Sequence, residues 1–280
     1  MSSESSLAAA GHRRRVSRDR LLESASAIWM GDNGGRQRVS RVDELRRIGR
    51  LRRGLRTAVR DWRALLHGQL GCVWPCPAES EFNALWAELT AELDGQRLQV
   101  GRGTYWGWDD GDRGLASAVW CLTRHLPAAA VVETGVARGI TSRAILEALH
   151  RNGGGHLSSI DLPPPDRSLH GEIGAAVSGT MRANWTLLRG TSRSLLPSLL
   201  DRIGAIDLFV HDSSHTTPNV RFELNCAWPR LARGAVVVDD VERNDAFSAF
   251  TRLHPDALAF TAPADDGHAL FGVALKGFTV

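Results

Sequence analysis

Lysine is all but missing from this chain. Lys276 is the only one among 34 basic residues. Neither G-x-x-x-x-G-K-[ST] nor G-x-G-x-x-G occurs, which excludes the common phosphate-cradling loops. No apolar run reaches the roughly 18 residues that a membrane span needs, and no hydrophobic segment follows the arginines near the start, which argues against a secretory or twin-arginine signal. Cysteine is sparse, with Cys72, Cys76, Cys121 and Cys226. Their only close spacing is C-x-x-x-C, which is not a zinc-site pattern and is weak evidence for a disulfide, so a reducing cytoplasm is the default. Tyr105 is the single tyrosine, and the basic segments lack the aromatic interleaving expected of an RNA-binding surface.

What is present can bury a full core: 280 residues with 43% apolar content, enough for one domain of about 200 residues plus an extension. The charge is uneven. Residues 1–66 hold 16 arginines against 7 acidic residues, whereas the rest holds 18 basic against 24 acidic residues. Residues 1–20 are small, polar and basic and read as a disordered tail. Residues 21–76 read as a helical, arginine-rich extension, with helices over Leu21–Met30 and Val42–Leu66. In the second of these Leu45, Ile48, Leu51, Leu55, Val59, Trp62 and Leu65 recur at three- and four-residue steps. Such a helix suits packing on the catalytic domain or on a second subunit, so a homo-oligomer is a natural expectation. Residues 77–280 read as the catalytic domain. A helix is expected over Ala78–Leu93, and the glycine- and tryptophan-rich segment 101–114 is placed to close over a cofactor or substrate, or else to form a surface turn.

The centre of the chain is VVETGVARGITS, residues 131–142. An apolar run ends at Glu133, the glycines Gly135 and Gly139 follow, and a helical segment begins with Thr141 and Ser142, whose hydroxyls are in position to cap it. Glycines there let a ligand lie against backbone N–H groups at a positively polarised helix end, and a carboxylate at the strand tip takes a cationic or hydroxyl group. This describes a nucleoside or amino-acid cofactor site, and an acidic residue before the turn repels a pyrophosphate. The cationic S-adenosylmethionine (SAM) suits it better.

The stretch resembles motif I of class I SAM-dependent methyltransferases, and from there to the C-terminus the chain resembles the branch that includes small-molecule and sugar O-methyltransferases. Strands are expected at 129–133, 156–160, 185–188, 206–211, 234–238, 257–261 and 270–275. Alternation with helices implies an α/β, doubly wound, mainly parallel seven-stranded sheet with ligands at the carboxyl ends of its strands. The resemblance makes Glu133, Gly135, Gly139, Thr141 and Ser142 the candidates for the methionine part of SAM. Asp161, ending the second strand, resembles the ribose-binding acid. Gly190, Thr191 and Ser192 match the region that passes the adenine ring.

The fourth strand ends in HDSSH, with Asp212 and His215, and the fifth in Asp239 and Asp240. Adjacent carboxylates near a buried edge call for a neutralising cation, and three converging acids suit a divalent ion, Mg2+ first. Asp212, Asp239 and Asp240 resemble the metal set of catechol and macrocin-type O-methyltransferases, and Asp212 to His215 resembles the D-x-x-H signature. His215 is read as base, fourth ligand or structural residue, with His211 turned the other way by strand alternation. The expected activity is O-methylation of a hydroxyl on a small molecule or sugar-containing natural product, with Asp212 or His215 taking the proton. Two other readings stay open: a metal-dependent hydroxylase of the cephalosporin-hydroxylase kind on the same fold, and a silent fold that binds nucleic acid through its basic helix.

Overall fold

Short apolar runs, each ending in a polar residue, form the strands, and three- and four-step apolar patterns form the helices between them. The computed structural model describes residues 41–278; the expected tail 1–20 and the helix Leu21–Met30 lie outside the described residues. In chain order the elements are α1 (Arg41–Thr57), α2 (Trp62–Gln69), α3 (Pro77–Gly95), β1 (Gly101–Tyr105), β2 (Trp108–Asp110) and α4 (Arg113–His125). The alternating part follows with β3 (Ala130–Thr134), α5 (Ile140–Arg151), β4 (His156–Asp161), β5 (Trp185–Arg189), α6 (Ser192–Ile203), β6 (Ile206–His211), α7 (Thr217–Ala227) and β7 (Leu231–Val238). The chain closes with α8 (Ala246–Leu253), β8 (Leu258–Pro263) and β9 (Leu270–Lys276). A compact unit begins at Arg47 and runs to the end of the chain; everything below concerns that unit.

The sheet has seven strands in the order β5-β4-β3-β6-β7-β9-β8, with β9 antiparallel to both neighbours and the other adjacent pairs parallel. Strand alternation sorts its side chains into two cores. Val131, Leu157, Leu208, Val210 and Val237 meet α2, α4 and α5 on one face. Val132, Ile160, Phe209, Val236 and Val238 meet α6, α7 and α8 on the other. The result is the three-layer, doubly wound α/β arrangement expected, with the reversal of strand order between β3 and β6, where such sheets bind ligands.

Two expectations change. The helix read over Val42–Leu66 is two helices, because the chain turns over 58–61 so that Trp62 and Leu66 of α2 can enter the core, where Trp62 meets Phe271 edge-on at 5.3 Å. On α1, Arg50 donates to the carbonyls of Glu242 and Arg243, and Arg47 pairs with the Glu242 carboxylate at 3.4 Å. At least these arginines hold the helix on the loop that follows the acidic pair. Within the segment 101–114, residues 101–110 form a β-hairpin, and Arg113 already begins α4. Trp106 and Gly107 at the hairpin tip both have positive φ, 47° and 81°, as the tight turn of a right-twisted hairpin requires.

Candidate active site

Backbone geometry sets the site before any side chain does. After β3 the chain must pass beside the end of β6, and Gly135 (φ 86°) makes this possible: a Cβ there would lie 1.9 Å from the Asp212 carbonyl oxygen. Gly135 N–H donates to Ile160 O at 2.9 Å, and Asp212 N–H to Thr134 O at 2.8 Å, so three neighbouring strand ends are laced together. Gly139 (φ 80°) occupies the N-cap position of α5 with no side-chain cap. Thr141 and Ser142 are therefore inside the first turn, not caps. Ser142 Oγ instead donates to Glu133 Oε2 at 2.6 Å, beside Ser159 Oγ at 2.7 Å.

Glu133 is fully buried, and its other oxygen, Oε1, has no partner. Burial raises its pKa to about 8, against the lowering effect of the two serine hydroxyls. Asp161 accepts from the Val136 N–H at 3.0 Å and also takes the N–H of Ala137, so it holds the motif loop from the neighbouring strand; burial raises its pKa against those two bonds. Gly190 N–H donates to Asp161 O at 2.8 Å. Thr191 caps α6, and Ser192 Oγ contacts Asn219 Oδ1 at 3.3 Å.

Arg138, inside the motif loop, was not singled out by spacing, yet it fixes the hairpin over the strand ends. It pairs with Asp110 at 3.0 Å and Glu172 at 2.8 Å and donates to the carbonyls of Gln99 (3.0 Å) and Thr104 (2.9 Å). Its guanidinium stands 5.2 Å from the Tyr105 ring centroid. The Tyr105 hydroxyl is buried without a partner, and its pKa is raised first by burial and then by the charge of Asp161.

The second half of the site lies at the ends of β6 and β7. His215 Nδ1 is 3.1 Å from Asp240 Oδ2, and its Nε2 faces Asp212 Oδ1 at 3.7 Å and Asp239 Oδ2 at 3.8 Å, beyond hydrogen-bond reach. Donor atoms of Asp212, His215 and Asp239 all lie within 4.8 Å of one another. Asp240, expected as the third metal ligand, stands apart from that trio: it lies at the other ring nitrogen and pairs with Arg243. Burial together with Asp240 and Asp212 holds the Asp239 carboxyl well above its ordinary range; burial acts the same way on Asp240, but His215 and Arg243 outweigh it and hold it low.

His211 does not turn away from His215; the two rings meet edge-on at 5.5 Å. Its Nδ1 is 2.6 Å from Glu223 Oε2, which also accepts from Thr134 Oγ1 at 2.6 Å, while Glu223 Oε1 accepts from Ser213 Oγ (2.7 Å) and Asn219 Nδ2 (2.8 Å). Burial alone would raise the Glu223 pKa, but these bonds, His211 foremost, lower it to about 2. Only one signal pointed to this network: a glutamate on the apolar face of α7, in step with Val220, Leu224 and Ala227.

Of the nine buried side-chain atoms without partners among the described residues, six belong to this region: Tyr105 Oη, Asp112 Oδ2, Glu133 Oε1, His211 Nε2, His215 Nε2 and Asp239 Oδ1. Asp112 enters it because its charge acts on Asp239. Buried polar atoms rarely go unpaired, and six in one region make it the candidate for receiving ligands.

Strand ends that meet at the reversal point of a doubly wound sheet, flanked by an acidic cluster, are the arrangement expected of a class I SAM-dependent methyltransferase. Comparison agrees: residues 132–241 match the family model of a methyltransferase domain. Among solved structures, an O-methyltransferase from Bacillus cereus in complex with SAH has a TM-score of 0.51 at 13% identity, covering 69% of this chain and 91% of that one. The cofactor-bound Rv0187 from MTB has a TM-score of 0.50 at 20% identity, covering 77% and 95%. Both share the fold. No curated protein matches the chain in sequence. No helix among the described residues is long and apolar enough to cross a membrane.

Proposed function

We propose that this methyltransferase acts on oxygen: it transfers the SAM methyl group to a hydroxyl of a small molecule or sugar-containing natural product and uses a divalent cation to do so. The observation that carries the reading is the clustering of six unpartnered buried polar atoms around two adjoining places, the Glu133–Tyr105 region and the Asp212–His215–Asp239 trio. Glu133 Oε1 and Tyr105 Oη are free to receive the amino-acid and nucleoside parts of SAM. Asp161 keeps the loop in shape through its bonds to Val136 and Ala137, and in the proposed complex it also accepts the ribose hydroxyls.

The acidic trio fits a divalent cation. Asp239 Oδ1 and His215 Nε2 are buried without partners, and Asp212, Asp239 and Asp240 crowd negative charge against one imidazole and one guanidinium. Asp212, His215 and Asp239 would hold the ion, with Asp240 and Arg243 bracing His215 from behind. When bound, such an ion lowers the pKa of a hydroxyl and fixes its direction. Asp212, whose side chain keeps 33% of its exposure, stands at the end of β6 with a second carboxylate oxygen to take the hydroxyl proton as the new C–O bond forms and the S–CH3 bond breaks. The hairpin pinned by Arg138 shields the methyl-bearing sulfur from water, which preserves the reactive orientation.

The hydroxylase alternative is less well supported. A 2-His-1-carboxylate set would need both His211 and His215 on one ion, yet among the described residues His211 is not in the cluster with Asp212, His215 and Asp239.

Calorimetric titration of SAH, in Mg2+ and then in EDTA, followed by labelled SAM with a panel of hydroxyl compounds, tests the proposal. SAH binding is expected to survive EDTA and methyl incorporation to require Mg2+. Failure to bind SAH in either condition, by folded protein, would overturn it.

A further inference from the structure

A second cluster of side chains with metal-ligating chemistry lies at the far end of α4 from Asp112, built from three separate segments. His67 lies on α2, Cys76 is the residue that opens α3, and His125 ends α4. Cys76 Sγ is 3.0 Å from His67 Nε2 and 3.4 Å from His125 Nε2, and donor atoms of all three lie within 4.8 Å of one another. Around a tetrahedral zinc ion, with Zn–S of about 2.3 Å and Zn–N of about 2.0–2.1 Å, neighbouring donors stand roughly 3.3–3.6 Å apart. The three side chains are thus gathered to nearly that spacing.

We propose that Cys76, His67 and His125 form a zinc-type transition-metal site that ties α2 and the start of α3 to the end of α4.

Three further features favour a metal over a simple hydrogen-bonded cluster. His67 Nδ1 is 2.7 Å from the carbonyl of Arg63. A carbonyl only accepts, so Nδ1 carries the proton and Nε2 presents its lone pair to the site. That arrangement is the usual support behind a metal-bound histidine. The donor chemistry is also right, since one thiol and two imidazoles favour zinc over the magnesium expected at the aspartate site. Finally, the void that these side chains line measures ≈ 10 Å³, room for an ion or a water. Binding would release one proton, from the Cys76 thiol to solvent, leaving the thiolate as ligand.

Cysteine spacing alone hid this site, because C-x-x-x-C contributes only one of its sulfurs. Cys72 turns its thiol toward the Leu70 carbonyl at 3.7 Å instead. All four cysteines are free thiols.

The test is addition of Co2+ and, separately, Zn2+ to the full chain after chelation and reduction. A thiolate-to-cobalt absorption band in the near ultraviolet is expected at about one equivalent, displaced by Zn2+. The aspartate site has no sulfur, so the band reports this site alone. It should disappear in Cys76→Ser and His125→Ala and persist in Cys72→Ser and Asp239→Asn. Absence of the band in the folded wild-type protein, or its persistence in Cys76→Ser, would overturn the proposal. The wild-type spectrum is decisive even if a variant fails to fold.

Discussion

Gly135→Ala separates two reasons for a glycine in the cofactor motif, closeness to a ligand and closeness to another strand. An alanine there meets two penalties. Its φ of +86° is left-handed, which costs roughly 1–2 kcal/mol for a residue with a Cβ. That Cβ would also lie 1.9 Å from Asp212 O and 2.4 Å from its carbonyl carbon. Both are backbone atoms, and they cannot yield cheaply because Asp212 N–H is bonded to Thr134 O at 2.8 Å. Overpacking of that kind adds about 1–3 kcal/mol. Gly153→Ala is the control, since Gly153 has φ +94° and nothing within 4 Å of its Cβ position, so it carries the strain without the collision. With about 2–4 °C of Tm per kcal/mol for a domain of this size, Gly135→Ala should lower Tm by roughly 4–20 °C and Gly153→Ala by roughly 2–8 °C. Differential scanning calorimetry of the ligand-free proteins reads both. Equal losses would refute the close approach of the two strand ends. Loss of SAH binding with an unchanged Tm would show that the glycine serves the ligand alone.

Other perturbations probe the remaining parts of the site. Asp239→Asn should abolish Mg2+-dependent methyl incorporation while SAH affinity, by calorimetry, stays within about twofold; loss of SAH binding by a folded variant would sink the division of labour between the two places. Tyr105→Phe removes a buried hydroxyl that has no partner in the free protein. Tm should hold or rise, and SAH affinity should fall about fivefold to tenfold for a hydrogen bond worth about 1 kcal/mol; unchanged affinity would place the hydroxyl outside the cofactor site. The Glu133 pKa rises from 4.5 to about 8 on folding, so the folded chain keeps a proton that the unfolded chain releases. Its contribution to stability is therefore fully present below pH 4.5 and is lost as pH rises through about 8. Urea denaturation across that window should show a shallower pH dependence for Glu133→Gln than for wild type, and parallel curves would refute the buried protonated carboxyl.

Most of the sheet was legible because its strands are buried on both faces and read as apolar runs, each closed by a polar residue. Glu133, Asp161, Asp212 and Asp239 were visible for the same reason: a charged residue directly after such a run stands out. The misreadings lie where tertiary packing overrides local pattern. Trp62 fits the α1 periodicity as well as it fits α2, and only the core position of Phe271 decides that the chain bends. Thr141 and Ser142 look like caps because hydroxyls at a helix start are usually caps, but Gly139 takes that position and frees Ser142 for Glu133. Arg138, Tyr105, His211 and Glu223 were not recognised because each acts on residues far away in the chain, and no spacing rule links a motif arginine to a hairpin carbonyl. The His67–Cys76–His125 cluster escaped in the same way.

In the proposed reaction, Gly135 and His211 would hold cofactor and acceptor chemistry in register. The loop that would carry the methionine part of SAM and the strand end that carries Asp212 touch through backbone, Gly135 against the Asp212 carbonyl. Behind that contact, Thr134 of β3 and His211 of β6 both bond to the one carboxylate of Glu223 on α7. A displacement transition state is sensitive to the line joining donor sulfur, methyl carbon and attacking oxygen. The elements that would fix its two ends are adjacent strands sharing a buried charged anchor, so relative movement would break bonds that burial makes expensive to lose. In the proposed reaction Glu223 is therefore a positioning residue. Glu223→Gln keeps the shape but loses the charge and two of the four acceptor contacts. It should lower kcat more than it raises the KM for SAM, and an equal effect on both would assign it to folding alone.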